Sequence, residues 1–159
     1  MKHLFLVRHG NYDSRQGEYH LSQGGKLEME RLSTAILQRV SPDLYLLSSS
    51  ENVAIESARV LAEKFGIKDI QEAVELWSGN PQGAPTGANI SGNPLLVQKL
   101  VESVDEKDSI ILVSHKEIGE RYPTYFSREK MKMDFRLPAL EKGRAFHFDL
   151  EKKAYELIP

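Results

Sequence analysis

The sequence predicts an α/β fold, a single-domain three-layer α/β/α sandwich whose central sheet is mostly parallel. Short apolar runs typical of buried strands alternate along the chain with longer amphipathic stretches typical of helices. Strands separated by helices pair in parallel and bury both faces of their sheet. Two of these strands end in histidine motifs, LFLVRHG at 4–10 and IILVSH at 110–115. Sheets of this kind bind ligands beyond the carboxyl ends of their strands, where both histidines are expected.

Length and composition narrow the class of protein. The 159 residues fit one domain, 1–159, with a substantial buried core. Lys and Arg number 21 against 23 Asp and Glu, a formal charge of −2 that gives no sign of a nucleic-acid or membrane partner. The absence of cysteine excludes disulfides and thiol chemistry. With no signal-peptide pattern and no run of roughly 18 apolar residues, we expect a cytoplasmic, soluble protein.

Each element is predicted from its periodicity or composition. The elements are, in order, a strand at 4–7, a helix at 24–40, a strand at 43–49, a helix at 52–65, a helix at 95–104, a strand at 108–115, a helix at 117–132 that breaks near Pro123, and an alternating strand pair at 144–150 and 153–158. The stretch 67–76 holds at most a short strand. Four glycines and three prolines make 78–94 a long loop, and such loops are often functional.

Four segments carry a resemblance to a known family. They are LVRHG at 6–10, LSQGGKLEMERLSTAI at 21–36, SSSENVAIESA at 48–58 and ILVSH at 111–115. In this order they resemble the histidine phosphatase (phosphoglycerate mutase-like) superfamily over essentially the whole chain. The short chain is similar to the compact phosphohistidine phosphatases. The resemblance implies a phosphoglycerate mutase-like fold.

The resemblance also implies roles for five residues. His9 is the nucleophile that becomes a phosphohistidine, and Arg8 clamps phosphate oxygens. His115 is a second pocket histidine that donates to the phosphate. Gly10 lets the backbone turn sharply and the phosphate approach closely. Asn11 either adds an amide hydrogen bond or is a surface turn residue. No cofactor is implied, and no histidine spacing resembles a zinc site.

The sequence departs from the family pattern at the second phosphate-binding arginine. The aligned position is Val53, and the loss of one guanidinium can cost several orders of magnitude in rate. Arg59, six residues later on the same helix, is expected to face elsewhere. Lys116 or Arg121 could fold into the pocket and supply the missing charge, or both could be surface residues.

Other residues have open assignments. Glu75 is a candidate proton donor, although some compact phosphohistidine phosphatases manage without one. Trp77 begins the glycine-rich loop and either forms part of a lid or anchors the rim. His3 and His20 are interpreted as structural or solvated, and His147 as an outward polar residue.

Two functions follow from these assignments. The first is a phosphatase that hydrolyses a phosphomonoester or phosphohistidine through His9, with a phosphorylated small molecule or phosphoprotein as its partner. The alternative is a weakly active or non-catalytic relative that binds such a ligand, because Val53 replaces the arginine. The short chain argues against mutase-type transfer, and a purely structural interaction module would require an exposed apolar patch.

Overall fold

The computed structural model describes residues 1–159, which form eight strands and four helices. The strands are β1 (His3–Arg8), β2 (Tyr12–Arg15), β3 (Glu18–Leu21), β4 (Leu44–Ser48), β5 (Gln71–Glu72), β6 (Ser109–Ser114), β7 (Ala145–Asp149) and β8 (Ala154–Ile158). The helices are α1 (Gln23–Leu37), α2 (Asn52–Phe65), α3 (Pro94–Ser103) and α4 (Lys116–Met131). None of them combines the length and apolar character needed to cross a bilayer.

Six strands form the central sheet in the order β5-β4-β6-β1-β7-β8. The first four run parallel, and β7 and β8 are antiparallel to their neighbours. The two strands that end in histidine motifs, β1 and β6, are adjacent in register, with Arg8 opposite Ser114. His9 and His115 therefore leave the sheet side by side. The predicted fold class is confirmed.

Successive side chains along the central strands point to opposite faces of the sheet, and each face packs into its own hydrophobic core. Phe5 and Val7 of β1 pack with α1 and α2 on one face, while Leu4 and Leu6 pack with α3 and α4 on the other. All four side chains are fully buried. Each such burial contributes roughly 1.5–3 kcal/mol, so β1 is held firmly from both sides. This rigidity fixes the position at which the chain turns into Arg8 and His9.

The predicted break near Pro123 is wrong, because α4 runs through it without interruption. Proline cannot donate to the carbonyl four residues earlier and its ring crowds that oxygen. In this helix the carbonyl concerned belongs to Gly119, and it accepts a hydrogen bond from Leu140 N at 3.3 Å. An outside donor thus replaces the missing helical hydrogen bond.

The hairpin of β2 and β3 was not predicted from the sequence. Gln16 and Gly17 both have positive φ, 52° and 79°, as the two-residue turns favoured by hairpins require. The hairpin is fixed to α2 by Glu56, which accepts from Leu21 N at 2.7 Å and lies 2.5 Å from His20 Nδ1. Gln is not a common residue at such a turn, so the sequence carried little signal.

The loop predicted at 78–94 is irregular as far as residue 93, where α3 follows, and it is held by a buried asparagine. The Asn89 amide donates to the carbonyls of Glu75 and Asn93, and its side-chain oxygen accepts from Asn93 N. These three bonds replace the backbone ladder that a helix or strand would provide. The loop can therefore present residues 78–80 at a defined place beside the sheet.

Candidate active site

A pocket of about 360 Å³ lies at the carboxyl edge of β1 and β6. Its lining residues come from strand ends, helix starts, the hairpin and the long loop: Arg8, His9, Tyr12, Tyr19, Glu51, Val53, Ser78, Gly79, Asn80, His115, Lys116 and Glu117. The structure therefore brings together Arg8, His9, His115 and Lys116 of the residues singled out from the sequence. This is the ligand-binding edge expected of an open parallel sheet.

His9 is positioned and kept neutral by its surroundings. The side chain is only 5% exposed, and its Nδ1 lies 2.8 Å from the carbonyl oxygen of Gly10. Because a carbonyl only accepts, Nδ1 carries the proton and Nε2 keeps its lone pair. Burial, reinforced by the charge of Arg8, lowers the pKa of His9 to about 4. At neutral pH the ring is thus uncharged, with a free lone pair on Nε2, and it lines the pocket.

His115 faces His9 edge-on, with 5.2 Å between the ring centroids. Its Nε2 lies 2.8 Å from Ser49 Oγ and 3.4 Å from a carboxylate oxygen of Glu51. A carboxylate oxygen accepts, which favours the tautomer with the proton on Nε2. Burial lowers the pKa of His115 to about 3, with His9 and Arg8 adding to the effect. The ring is therefore a neutral hydrogen-bond donor whose Nε2–H is held by Ser49 and Glu51 at the wall of the pocket.

Arg8, which directly precedes His9, supplies a positive charge beside the two histidine rings. One terminal nitrogen donates to the carbonyl of Leu140 at 3.1 Å, while its buried Nε has no hydrogen-bond partner. Burial lowers the pKa of this guanidinium, and the charges of Glu117 and Glu120 oppose that change. An unpaired guanidinium N–H at a pocket is suited to an anionic oxygen.

Val53 lines the pocket and is only 2% exposed. It stands on the first turn of α2, so the structure places the aligned position next to the two histidines and leaves it without charge. Arg59 on the same helix is exposed and lines a separate surface depression with Arg15, away from His9. The expectation that Arg59 faces elsewhere agrees with this position.

Two helices begin at the pocket. Glu51 is the N-cap residue of α2 and His115 is the N-cap residue of α4, and neither side chain makes a capping hydrogen bond. The first N–H groups of a helix are free and carry partial positive charge, which favours anions. Both helix starts therefore add to the positive potential that Arg8 provides.

Two carboxylates oppose that potential, and the sequence analysis did not single them out. Glu51 has a side chain 14% exposed, and burial raises its pKa. Glu117 accepts a hydrogen bond from Ser78 Oγ at 3.1 Å. Glu51 could have been suspected, because it follows β4 at the same edge of the sheet as His9. No group of three or more His, Cys, Asp or Glu side chains is arranged to hold a metal ion.

Other residues singled out from the sequence lie outside the pocket lining. Glu75 sits on a single 3-10 turn, Val74–Leu76, while Ser78 to Asn80 reach the pocket instead. Asn11 is exposed and its amide is bonded to Glu28 rather than directed at a ligand. Arg121 is exposed on α4, whereas Lys116 lines the rim and pairs with Glu120 at 3.6 Å.

Close packing against α1 requires a glycine at position 10, which the sequence analysis did not predict. A Cβ at this position would lie 2.8 Å from the carbonyl oxygen of Gly25 in α1. The Gly10 N–H donates to Ser57 Oγ at 3.1 Å, and Ser57 Oγ donates to the Val53 carbonyl at 2.7 Å. The glycine thus fastens the turn after β1 to α1 and α2, which fixes the backbone that holds His9 Nδ1.

His147 is not the outward polar residue that the sequence suggested. It is 6% exposed and stacks on Phe5, with 4.4 Å between the ring centroids. Its Nε2 lies 3.1 Å from His3 Nδ1, and its Nδ1 lies 2.9 Å from Glu156 Oε1. Neither His147 nor His3 lines the His9 pocket, so both are structural there.

Comparison with solved structures identifies the fold. The chain is similar to the protein histidine phosphatase SixA complexed with tungstate, with a TM-score of 0.69, 16% identity, and coverage of 98% of this chain and 93% of that one. It is also similar to a mycobacterial glucosyl-3-phosphoglycerate phosphatase in complex with VO3, with a TM-score of 0.63, 20% identity, and coverage of 99% and 97%. The fold is that of the histidine phosphatases. The sequence matches no protein-family model and no curated protein.

Proposed function

We propose that this protein is a histidine-dependent phosphatase that hydrolyses a phosphomonoester or a phosphohistidine through His9. One observation carries the proposal: His9 donates from Nδ1 to the Gly10 carbonyl, which leaves the Nε2 lone pair free on a neutral ring in the pocket. The solved structures of similar fold include phosphatases of protein histidine and of glucosyl-3-phosphoglycerate. These names support a phosphorylated small molecule or phosphoprotein as substrate.

In the first step, Nε2 of His9 forms a bond to phosphorus while the bond to the leaving oxygen or nitrogen breaks. The bonding electrons depart with the leaving group, which takes up a proton from solvent water. Arg8 and the starts of α2 and α4 stabilise the charge on the phosphoryl oxygens, and His115 adds to this when its Nε2–H turns from Ser49 and Glu51 to the phosphate. Nδ1 keeps its proton, which is hydrogen-bonded to the Gly10 carbonyl, and the phosphorylated ring is therefore cationic.

In the second step, water attacks phosphorus and the bond from phosphorus to Nε2 breaks. The electron pair returns to the ring, which becomes neutral again, and inorganic phosphate is released with the proton of the water. A cationic imidazole is a good leaving group, so the hydrogen bond to Gly10 favours this step as well. The same contact thus orients the nucleophile and activates the intermediate.

The second candidate function is phosphate-ligand binding without turnover. It is favoured by Val53, which leaves Arg8 as the only arginine among the lining residues, and by the carboxylates of Glu51 and Glu117 beside it. A pocket with less positive charge stabilises the transition state less. This candidate predicts saturable phosphate binding with negligible hydrolysis.

The deciding experiment measures hydrolysis of a generic aryl phosphate from acidic to neutral pH by wild type and His9→Ala. We expect His9→Ala to lower turnover by about a thousandfold or more, because it removes the nucleophile. His3→Ala is the matched control, since His3 lies on the same strand and outside the pocket. Turnover retained in His9→Ala contradicts the proposal. Phosphate binding without turnover in the wild type favours the second candidate.

A further inference from the structure

The pocket carries two carboxylates that no lysine or arginine contacts directly, although the charge of Glu117 acts on Arg8. Glu51 approaches His115 Nε2 at 3.4 Å, but that ring is neutral at ordinary pH because burial lowers its pKa to about 3. Glu117 is bonded to the Ser78 hydroxyl. Neither carboxylate forms an ion pair with lysine or arginine. The two nevertheless line the same cavity as His9.

The basic residues of the pocket are engaged with other groups. Lys116 pairs with Glu120, one turn along its own helix, and Arg8 donates to the Leu140 carbonyl. At position 53, where the related pattern has an arginine, valine offers no charge. A phosphate group bound at His9 therefore brings further negative charge close to Glu51 and Glu117. A ligand that also brings a positive charge would relieve this repulsion.

An aromatic surface adjoins the two carboxylates. Tyr12 and Tyr19 project from the hairpin into the pocket lining with 41% and 47% of their surface exposed. Their ring centroids are 5.0 Å apart in an edge-to-face arrangement. The Lys142 ammonium lies 4.7 Å from the Tyr12 ring centroid, so a cation already contacts that ring and Tyr19 is the exposed ring left for a ligand. Carboxylates beside exposed aromatic rings suit an ammonium or guanidinium group.

We propose that Glu51 and Glu117 make this pocket selective for phosphorylated compounds that carry a positive charge close to the phosphate. The proposal rests on the proposed phosphate site at His9. The phosphate lies toward Arg8 and His115, and the cationic group lies toward the two carboxylates and Tyr19. A ligand with a second anionic group is disfavoured by the same carboxylates, which is discrimination by like-charge repulsion.

The test compares three small phosphates of matched size that differ in charge. Phosphoethanolamine carries an ammonium group, ethyl phosphate is neutral beyond its phosphate, and 2-phosphoglycolate carries a carboxylate. Dissociation constants are measured by calorimetry at neutral pH on the full chain with His9→Asn, so that hydrolysis cannot interfere. We expect phosphoethanolamine to bind at least about tenfold more tightly than phosphoglycolate, with ethyl phosphate between them.

Variants connect this preference to the two carboxylates. Adding Glu51→Gln and Glu117→Gln should reduce the tenfold ratio to about threefold or less, because amides keep the hydrogen bonding but not the charge. Each substitution is also made alone, so that a folding defect in the combined variant leaves the comparison intact. Glu63→Gln is the matched control, since Glu63 is an exposed residue of α2 outside this pocket, and it should keep the full ratio.

Each outcome decides the proposal. Equal affinities, a preference for phosphoglycolate, or a preference that survives both glutamine substitutions would overturn it. Absence of binding by all three compounds would overturn it together with the phosphate site. If phosphoethanolamine is preferred but the wild-type protein binds it without hydrolysing it, the result supports this inference and contradicts the proposed catalysis. The two failures are therefore distinguishable.

Discussion

At the scale of single residues, the balance of charge around His9 decides what the pocket can do. The lining holds two basic side chains, Arg8 and Lys116, against the carboxylates of Glu51 and Glu117. Lys116 is exposed and its attraction to Glu120 is a surface pair, which contributes little. In the proposed mechanism a bound phosphate is therefore stabilised mainly by Arg8, the two helix starts and Lys142, whose charge also acts on His9. Position 53 is where an added charge would have the largest effect.

Val53→Arg should raise kcat/KM for a phosphate ester by about tenfold or more, because a guanidinium there reaches the phosphoryl oxygens and also compensates Glu51. Steady-state kinetics on an aryl phosphate measures the change. Val53→Met is the control, since it adds length to the same buried position without charge. If Val53→Arg is no more active than Val53→Met, Arg8 and the helix starts already suffice.

The histidines could be located from the sequence, and the carboxylates could not. His9 and His115 each follow a run of buried residues, and parallel pairing of those strands places both at one edge. Glu51 and Glu117 stand at helix starts, where a shift of one residue redirects a side chain by about 100°. Their direction depends on how α2 and α4 leave the sheet, which periodicity does not specify.

At the scale of elements, the buried strands were predictable and the exposed ones were not. Strands β1 and β6 read as continuous apolar runs because both of their faces are covered. The β2 strand, YDSR, is exposed along its length and carries no such pattern. The continuation of α4 through Pro123 could not be predicted from the sequence either, because it depends on the distant Leu140 N–H.

The contact between α1 and the turn after β1 yields a matched pair of predictions. A Cβ at Gly25 would lie 2.0 Å from the carbonyl oxygen of Asn11, whereas a Cβ at Gly24 would meet nothing closer than 3.9 Å. Gly25→Ala should therefore lower the free energy of unfolding by about 2 kcal/mol or more. Gly24→Ala should raise it by up to about 1 kcal/mol, because alanine favours the helix.

Urea denaturation of the two alanine variants beside wild type measures both changes. The Gly25→Ala protein should also lose activity, since the shifted turn carries the Gly10 carbonyl that orients His9. Equal stability of the two variants would show that α1 can move away from the turn without cost. In that case the close approach of α1 would not be what positions His9.

At the scale of the whole molecule, the neutral histidine pair makes stability depend on pH. Burial lowers the pKa of His9 to about 4 and that of His115 to about 3, against 6.5 for a free histidine. Below pH 6.5 these two histidines therefore bind protons in the unfolded chain but remain unprotonated in the folded chain. The contribution of the two histidines to the free energy of unfolding is fully present above about pH 6.5. It falls as the pH drops toward 4, by on the order of 3 kcal/mol for each histidine.

The pKa values of two other histidines also change on folding, and the two changes act on stability in opposite directions. Burial lowers the pKa of His147, which adds to the loss at acidic pH. The hydrogen bond to Glu56 raises the pKa of His20, which adds stability there. A change in the wild type alone cannot be assigned to the pocket, so the comparison must be made with His9 and His115 replaced.

The measurement is the free energy of unfolding from urea titrations at several pH values between neutral and about pH 5.5, above the ordinary pKa values of Asp and Glu, about 3.9 and about 4.3. Wild type should lose stability steadily across this range. The combined His9→Asn and His115→Asn variant should lose less, because neither replacement takes up a proton in the unfolded chain. Parallel curves for the two proteins would mean that the pocket histidines bind protons as readily in the folded chain as in the unfolded one. His9 would then be protonated, without a free lone pair on Nε2, over the acidic part of this range, and hydrolysis through His9 should fall there while it persists at neutral pH.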